Sequence, residues 1–133
     1  MSTRSNIGVR NTDGTVDYIY CHFDGYPEGV EKTLISSYQD MDRVNELMKL
    51  GDLSSLGEEI GEKSDFDNYL TRARNWCLAY GRDRGEEGVS VSTTTFENLL
   101  SNTSIDYIYI FDGDYWECYD TNTKESINLY NQK

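Results

Sequence analysis

Residues 15–23 read TVDYIYCHF, and the fold turns on how their side chains divide. The run is rich in β-branched and aromatic residues, which suit a strand. Successive side chains along a strand point to opposite faces. Ile19, Cys21 and Phe23 then share one face, and Val16, Tyr18, Tyr20 and His22 share the other. Upstream, Asn6–Arg10 also reads as a strand, and the intervening NTDG is a turn signal. The two segments predict an N-terminal hairpin, closed at its far end by DGYPEG, residues 24–29.

A second hairpin is expected near the C-terminus. Asp106–Phe111 and Tyr115–Tyr119 flank the Asp112-Gly113 turn, a strong hairpin signal, and Ile127–Tyr130 reads as an edge strand. The strings VDYIY and IDYIY are nearly identical, although two such segments do not make a repeat. By alternation Ile108 and Ile110 oppose Tyr107, Tyr109 and Phe111. Ile7, Val9, Trp116 and Cys118 extend the aliphatic side. Asn6, Arg10, Tyr115, Glu117 and Tyr119 extend the tyrosine side. We expect helices over the aliphatic face. The tyrosine face is open to three readings: a more polar core layer, a homodimer surface, or a surface for a ligand or partner.

Between the hairpins the apolar spacing changes to a helical one. Val30, Leu34, Ile35 and Tyr38 predict a helix over Gly29–Tyr38. Asp40 is placed to cap a second helix, with Met41, Val44, Leu47 and Met48 on one side and Gly51 as the stop. GDLSSLGEEIGEKSD reads as a loop pinned by Leu53, Leu56 and Ile60. Asp65 begins a further helix with Phe66, Tyr69, Leu70 and Ala73 inward. WCLAY, Trp76–Tyr80, fits either its continuation or a buried strand. GRDRGEEG reads as a charged loop, and Thr95–Leu100 as a short threonine-capped helix. This order predicts an α+β fold in a single domain, residues 1–133. Its sheet is expected to be mostly antiparallel, with about five strands in the two hairpins and an edge, and helices packed on one face.

The formal net charge is −12 over 133 residues. Such a chain is repelled by nucleic-acid backbones and anionic membranes, so neither is an expected partner. No apolar run approaches the ~20 residues of a membrane helix, and MSTRSNIG lacks the apolar core of a secretory signal. Cys21, Cys77 and Cys118 lack zinc-site spacing and read as buried free thiols. No metal or cofactor is implied. Cys21 and His22 point to opposite faces of a strand, so they do not form a nucleophile–base pair.

Three polar stretches are candidate sites. His22, Asp24 and Tyr26 lie at a strand end, where a histidine can transfer protons with a carboxylate orienting it. The same residues also fit a plain hydrogen-bonded turn. Arg72, Arg74, Arg82 and Arg84 cluster in one span. Their forked guanidinium groups suit phosphate or carboxylate, or pairing with the chain's own Asp83, Glu86 and Glu87. Ser2–Asn6 supplies polar donors before the first strand. No glycine-rich phosphate loop, G-x-S-x-G or H-E-x-x-H is present, so no motif supports an enzyme.

STRSNIG (2–8), YCHFDGYPEGV (20–30), GDLSSLG (51–57) and AYGRDRGEE (79–87) together resemble a family of small proteins encoded widely by bacteriophages and prophages. The resemblance spans residues 2–87 and is weaker in the C-terminal hairpin. Family members read S-T-R-S-x-I, then Y-x-H-x-D-G-Y-P, then A-Y-x-R-D-R-G-E. The polar positions that match are Arg4, Asn6, His22, Asp24, Tyr26, Arg82, Asp83 and Arg84, and their chemistry makes them the expected ligand-binding set. The resemblance also implies a strand at Trp76–Tyr80, with the preceding helix ending near Arg74. The implied setting is the cytoplasm of an infected bacterium, where small accessory proteins act on host functions, including immunity. Convergence of the three motifs would form a pocket for an anionic, nucleotide-type ligand, which the protein would sequester. An acidic inhibitor occupying the nucleic-acid groove of a defence effector, in the manner of some anti-CRISPR proteins, is the alternative. A small phosphoester hydrolase using His22 is a third.

Overall fold

A computed structural model describes residues 2–67 and 75–127. β1 (Ser5–Arg10) and β2 (Thr15–Cys21) form the expected antiparallel hairpin, with Ile7 opposite Ile19. The chain leaves β2 through a tight loop and enters a five-residue π-helix, Pro27–Glu31, continuous with α1 (Lys32–Ser37). α2 (Met41–Leu50) starts where the Asp40 carboxylate accepts the Arg43 N–H at 2.9 Å. It stops at Gly51, whose φ of 74° is open to glycine and strained for other residues.

The remaining elements are β3 (Leu53–Ser55), β4 (Leu78–Ala79), α3 (Tyr80–Arg84), β5 (Ser92–Thr95), α4 (Phe96–Leu100), β6 (Tyr107–Phe111), β7 (Trp116–Asp120) and β8 (Glu125–Ile127). The Thr95 hydroxyl accepts the Asn98 N–H at 3.1 Å and caps α4 as expected. The helix expected after Asp65 falls largely on residues 68–74, outside the described residues. So do Arg72, Arg74 and the last residues of the expected edge strand at Ile127–Tyr130.

The fold is α+β, but the sheet departs from expectation. It has eight strands and is mixed, in the order β4-β3-β2-β1-β6-β7-β8, with β5 also paired to β2. β6 joins β1 in parallel, with Ser5 beside Tyr107, and β3 joins β2 in parallel. The parallel joins are long-range pairings that no local turn announces. β3, β4 and β5 are short and read LSS, LA and STTT, too short or too polar for alternation to stand out. GDLSSLG is therefore a strand where a loop was expected: the His22 and Phe23 N–H groups donate to the Leu53 and Ser54 carbonyls at 3.0 Å. The start of GRDRGEEG is helical, not a loop. WCLAY resolves as an extended stretch, Trp76 bridging Glu59 and Leu78–Ala79 pairing with β3, that turns helical at Tyr80.

The phase of β6 also differs from expectation. Ile7, Ile19, Cys21, Trp116 and Cys118 lie under Val30, Leu34, Tyr38, Val44 and Leu47, as predicted. In β6, however, Tyr109 and Phe111 join this face, and Ile108 and Ile110 pack on the other with Val16, Leu99 and Ile105. The two similar strings thus enter the sheet in opposite phase. Register explains it: Ile7 lies beside both Ile19 and Tyr109, and a one-residue change of register exchanges the two faces of a strand. Helices are likewise not confined to one face. α4 covers the second with Leu99, flanked by Tyr18, Tyr20, Phe96 and Tyr119, so that face carries a second core layer.

Buried aromatic tips are satisfied. The Tyr109 hydroxyl donates to the Gly25 carbonyl at 2.6 Å, the Tyr38 hydroxyl to the Gly57 carbonyl at 2.7 Å, and the Trp116 indole to the Tyr38 carbonyl at 2.7 Å. Phe23, expected inward, is 46% exposed because β2 ends at Cys21 and the chain turns away. Among the described residues no helix is long and apolar enough to cross a membrane.

The phase of β6 predicts that both sides of that strand are core. Ile108→Ala is expected to cost about 2–4 kcal/mol in urea unfolding. A cost under ~1 kcal/mol would mean that the α4 face is not a packed layer.

Candidate functional site

The loop from His22 to Pro27 is held from several sides. Asp24 adopts a left-handed conformation (φ 59°), which aspartate tolerates better than most residues. Its carbonyl accepts the Val30 N–H at 3.1 Å and its carboxylate accepts the Tyr26 hydroxyl at 2.9 Å. The Gly25 N–H donates to the Thr3 carbonyl at 2.9 Å. A Cβ on Gly25 would stand 2.7 Å from that carbonyl oxygen, so only glycine lets the two segments approach this closely. STRSNI and DGYP are therefore in contact.

Arg4 is fixed on its other side by β6. Its N–H donates to the Asp106 carboxylate at 3.0 Å, and its carbonyl accepts the Asp106 N–H at 2.9 Å. Ser2, Arg4, His22, Ser104 and Asp106 line a cleft of about 460 Å³. Behind it, the Tyr20 hydroxyl and His22 Nδ1 are 2.7 Å apart, and the Tyr20 N–H donates to the Asp52 carboxylate at 2.9 Å. Burial pushes the Tyr20 phenol above its ordinary pKa, against the opposing pull of the Arg4 charge. The Asp52 carboxyl is also raised, again by burial, although the Tyr20 N–H lowers it in part.

The third motif is used differently. Asp83 is 5% exposed and accepts the Ala79 N–H at 2.8 Å and the Ser64 N–H at 2.9 Å. Arg82 grips the same carboxylate from Nε at 3.0 Å and Nη2 at 3.2 Å. Its other bonds go to the Ile60 carbonyl at 2.8 Å and the Cys77 carbonyl at 2.9 Å. The pair clamps the 60–64 segment to β4 and α3. Arg84 lies over the Phe66 and Tyr80 rings, at 4.6 and 5.0 Å from their centroids, and pairs with Glu86. The Arg82 and Asp83 side chains are thus engaged with each other and with the backbone, and neither lines the cleft at Arg4 and His22. Arg4 and His22 line one cleft, with Asp24 and Tyr26 on the adjoining loop. Arg82 borders a separate groove with Lys49 and Val89. Asn6 is 3% exposed within β1.

Among the described residues, Arg10, Arg43, Arg82 and Arg84 each pair with a carboxylate, and Arg4 is in no ion pair. Tyr20 was missed as a site residue, although alternation puts it on the His22 side of β2. Ser104 and Asp106 had no local signal, because the β1–β6 pairing brings them in. No group of three or more His, Cys, Asp and Glu side chains among the described residues could hold a metal.

Burial alone would raise the Asp83 carboxyl, but the hydrogen bonds from Arg82, Ala79 and Ser64 together outweigh it and hold its pKa below the ordinary value. A depressed carboxylate stabilises the fold above its unfolded pKa of about 3.9, and that stability is lost as pH falls through the lower folded value. Arg82→Ala strands a buried charge and is expected to cost ~3 kcal/mol. Asp83→Asn should both destabilise at neutral pH and flatten the decline of stability below about pH 4. An unchanged acid limb would show that Asp83 does not carry it.

Cys21, Cys77 and Cys118 are free and buried. Burial pushes the Cys21 and Cys118 thiols up to about 12 and raises Cys77 as well, so reactive thiolates are scarce. Native protein should show no rapid reaction with a disulfide reagent, and labelling should follow global unfolding. A fast equivalent in the native state would contradict this burial.

No protein-family model matches the chain, and neither a curated protein nor a solved structure is significantly similar to it.

Proposed function

We propose that this is a binding protein that captures a small anionic, nucleotide-type ligand in the cleft beside Arg4 and His22. The observation that carries the reading is Arg4: in a chain of net charge −12, its guanidinium is the one among the described arginines without an ion pair. A cation held by its backbone at the edge of a cleft, and not neutralised by the protein, is suited to a ligand's phosphate. The cleft's 460 Å³ is of the size that small ligands occupy. Asp106 offers an acceptor for a hydroxyl or amino group. Phe23 and Tyr26, 46% and 39% exposed on the adjoining loop, offer faces for a base to stack on.

The resemblance to phage-encoded proteins supports a role in the infected cell, where sequestering a nucleotide signal would blunt host defence. The acidic-inhibitor reading draws on one feature: internal pairing of Arg10, Arg43, Arg82 and Arg84 leaves much of the surface negative. It requires a basic partner surface and makes no use of Arg4 and His22.

Thermal-shift and calorimetric titration with inorganic phosphate, mononucleotides and cyclic oligonucleotides tests the proposal. At least one nucleotide should bind. Arg4→Ala should weaken binding about tenfold or more, the worth of a charge-assisted hydrogen bond. Arg84→Ala should leave it unchanged. No binding to any of these ligands, with competition against DNA for a basic effector instead, would favour the acidic inhibitor.

A further inference from the structure

Resting on that anion cleft, we infer that Tyr20 locks His22 in the tautomer protonated at Nε2, so that His22 meets the ligand as a hydrogen-bond donor and not as a general base. The geometry comes from β2. Tyr20 and His22 are two residues apart on one side of the strand, and both backbones are anchored. The Tyr20 N–H is held by Asp52 at 2.9 Å and the His22 N–H by the Leu53 carbonyl at 3.0 Å. The His22 ring also packs edge-on against Phe23, with centroids 4.5 Å apart and planes at 78°. Its orientation is thus constrained on two sides.

The 2.7 Å separation of the Tyr20 hydroxyl from His22 Nδ1 requires one group to donate. A phenol is the better donor and an unprotonated imidazole nitrogen the better acceptor, so the proton lies on the tyrosine oxygen. Burial of the phenol, which disfavours its ionised form, acts in the same direction. With Nδ1 accepting, a neutral ring carries its proton on Nε2. The Nδ1 lone pair is occupied and Nε2 has none to give. Such a ring cannot take a proton from a water or hydroxyl nucleophile, which a hydrolase would need.

Arg4 and His22 both line the cleft, and with Nε2–H as the ring's donor the two would suit a phosphoryl group whose outer oxygens are all acceptors. Tyr20 is a positioning residue in this arrangement. It contributes nothing to the ligand directly, yet it decides which nitrogen faces outward with a proton.

His22 is the chain's only histidine, so ring ¹⁵N resonances report on it without assignment. Spectra are recorded at about pH 8, where an ordinary imidazole is neutral, with and without adenosine monophosphate as the probe. The expected result is a protonated Nε2 and an acceptor Nδ1 in the native chain, with a shift of Nε2–H on adding the probe. Tyr20→Phe should restore a tautomer mixture and weaken binding a few-fold. His22→Gln, which keeps a donor near the Nε2 position, should retain most of the affinity that His22→Ala loses. A native ring protonated at Nδ1, or one unaffected by Tyr20→Phe, overturns the inference. If the probe binds in an Arg4-dependent way while Nε2–H is unmoved, this inference fails and the anion site stands. If the native chain binds none of the mononucleotides, cyclic oligonucleotides or inorganic phosphate, the underlying reading fails.

Discussion

Two hairpins become one sheet because β6 lies beside β1 in parallel, with Ser5 against Tyr107 and Val9 against Phe111. Much else depends on that junction. It fixes the phase of β6 and so sends Tyr109 beneath the π-helix and Ile110 toward α4. It also anchors the Arg4 backbone, since the Arg4 carbonyl accepts from Asp106 at 2.9 Å and from Tyr107 at 3.3 Å. The cleft exists because the start of β1 and the approach to β6 are stitched together there. A parallel join between distant segments costs chain entropy before it returns any contact. The buried row of Ile7, Tyr109, Phe111 and Cys118 is the compensation.

Local chemistry was legible where one residue acts on its neighbours. Asp40 and Gly51 bracket α2, Thr95 caps α4, and the Asp112-Gly113 turn sets the second hairpin, all within a few residues of sequence. What alternation could not supply was which face of one strand meets which face of another. VDYIY and IDYIY are alike, yet pairing through β1 puts Ile19 and Ile108 on opposite sides. Strands such as LSS and STTT are too short or too polar to show a period. At the site, His22 and Tyr20 were within reach of strand alternation. The meeting of Arg4 with Asp106 and Ser104 was not, because it depends on the parallel join.

Burial sorts the arginines. Arg82 and Arg4 are the same chemical group, and a run of arginines in an acidic chain invites one functional reading for all of them. Arg82 stands beside a carboxylate that is 5% exposed and already accepts two backbone N–H groups. Taking that charge out of water is tolerable only with such full pairing, so the guanidinium is committed to structure. Arg4 is exposed and in no ion pair among the described residues, and the Asp106 carboxylate accepts its backbone N–H.

The chain's only proline lies five residues after its only histidine, in a loop with a mechanical role. Pro27 opens the π-helix with φ preset for a helical start, and Asp24 holds the one left-handed turn needed to reach it. Gly25 lies flat against Thr3, and Gly29 passes so close to the Asp24 carbonyl that a Cβ would stand 2.4 Å away. The loop therefore has few alternative conformations, and its stiffness passes to both His22 and the segment bearing Arg4. Donors held in place before a ligand arrives avoid the entropy of being ordered by it. Here the Gly25 N–H of DGYPEG holds the segment that bears Arg4, and the Tyr20 hydroxyl holds the His22 ring.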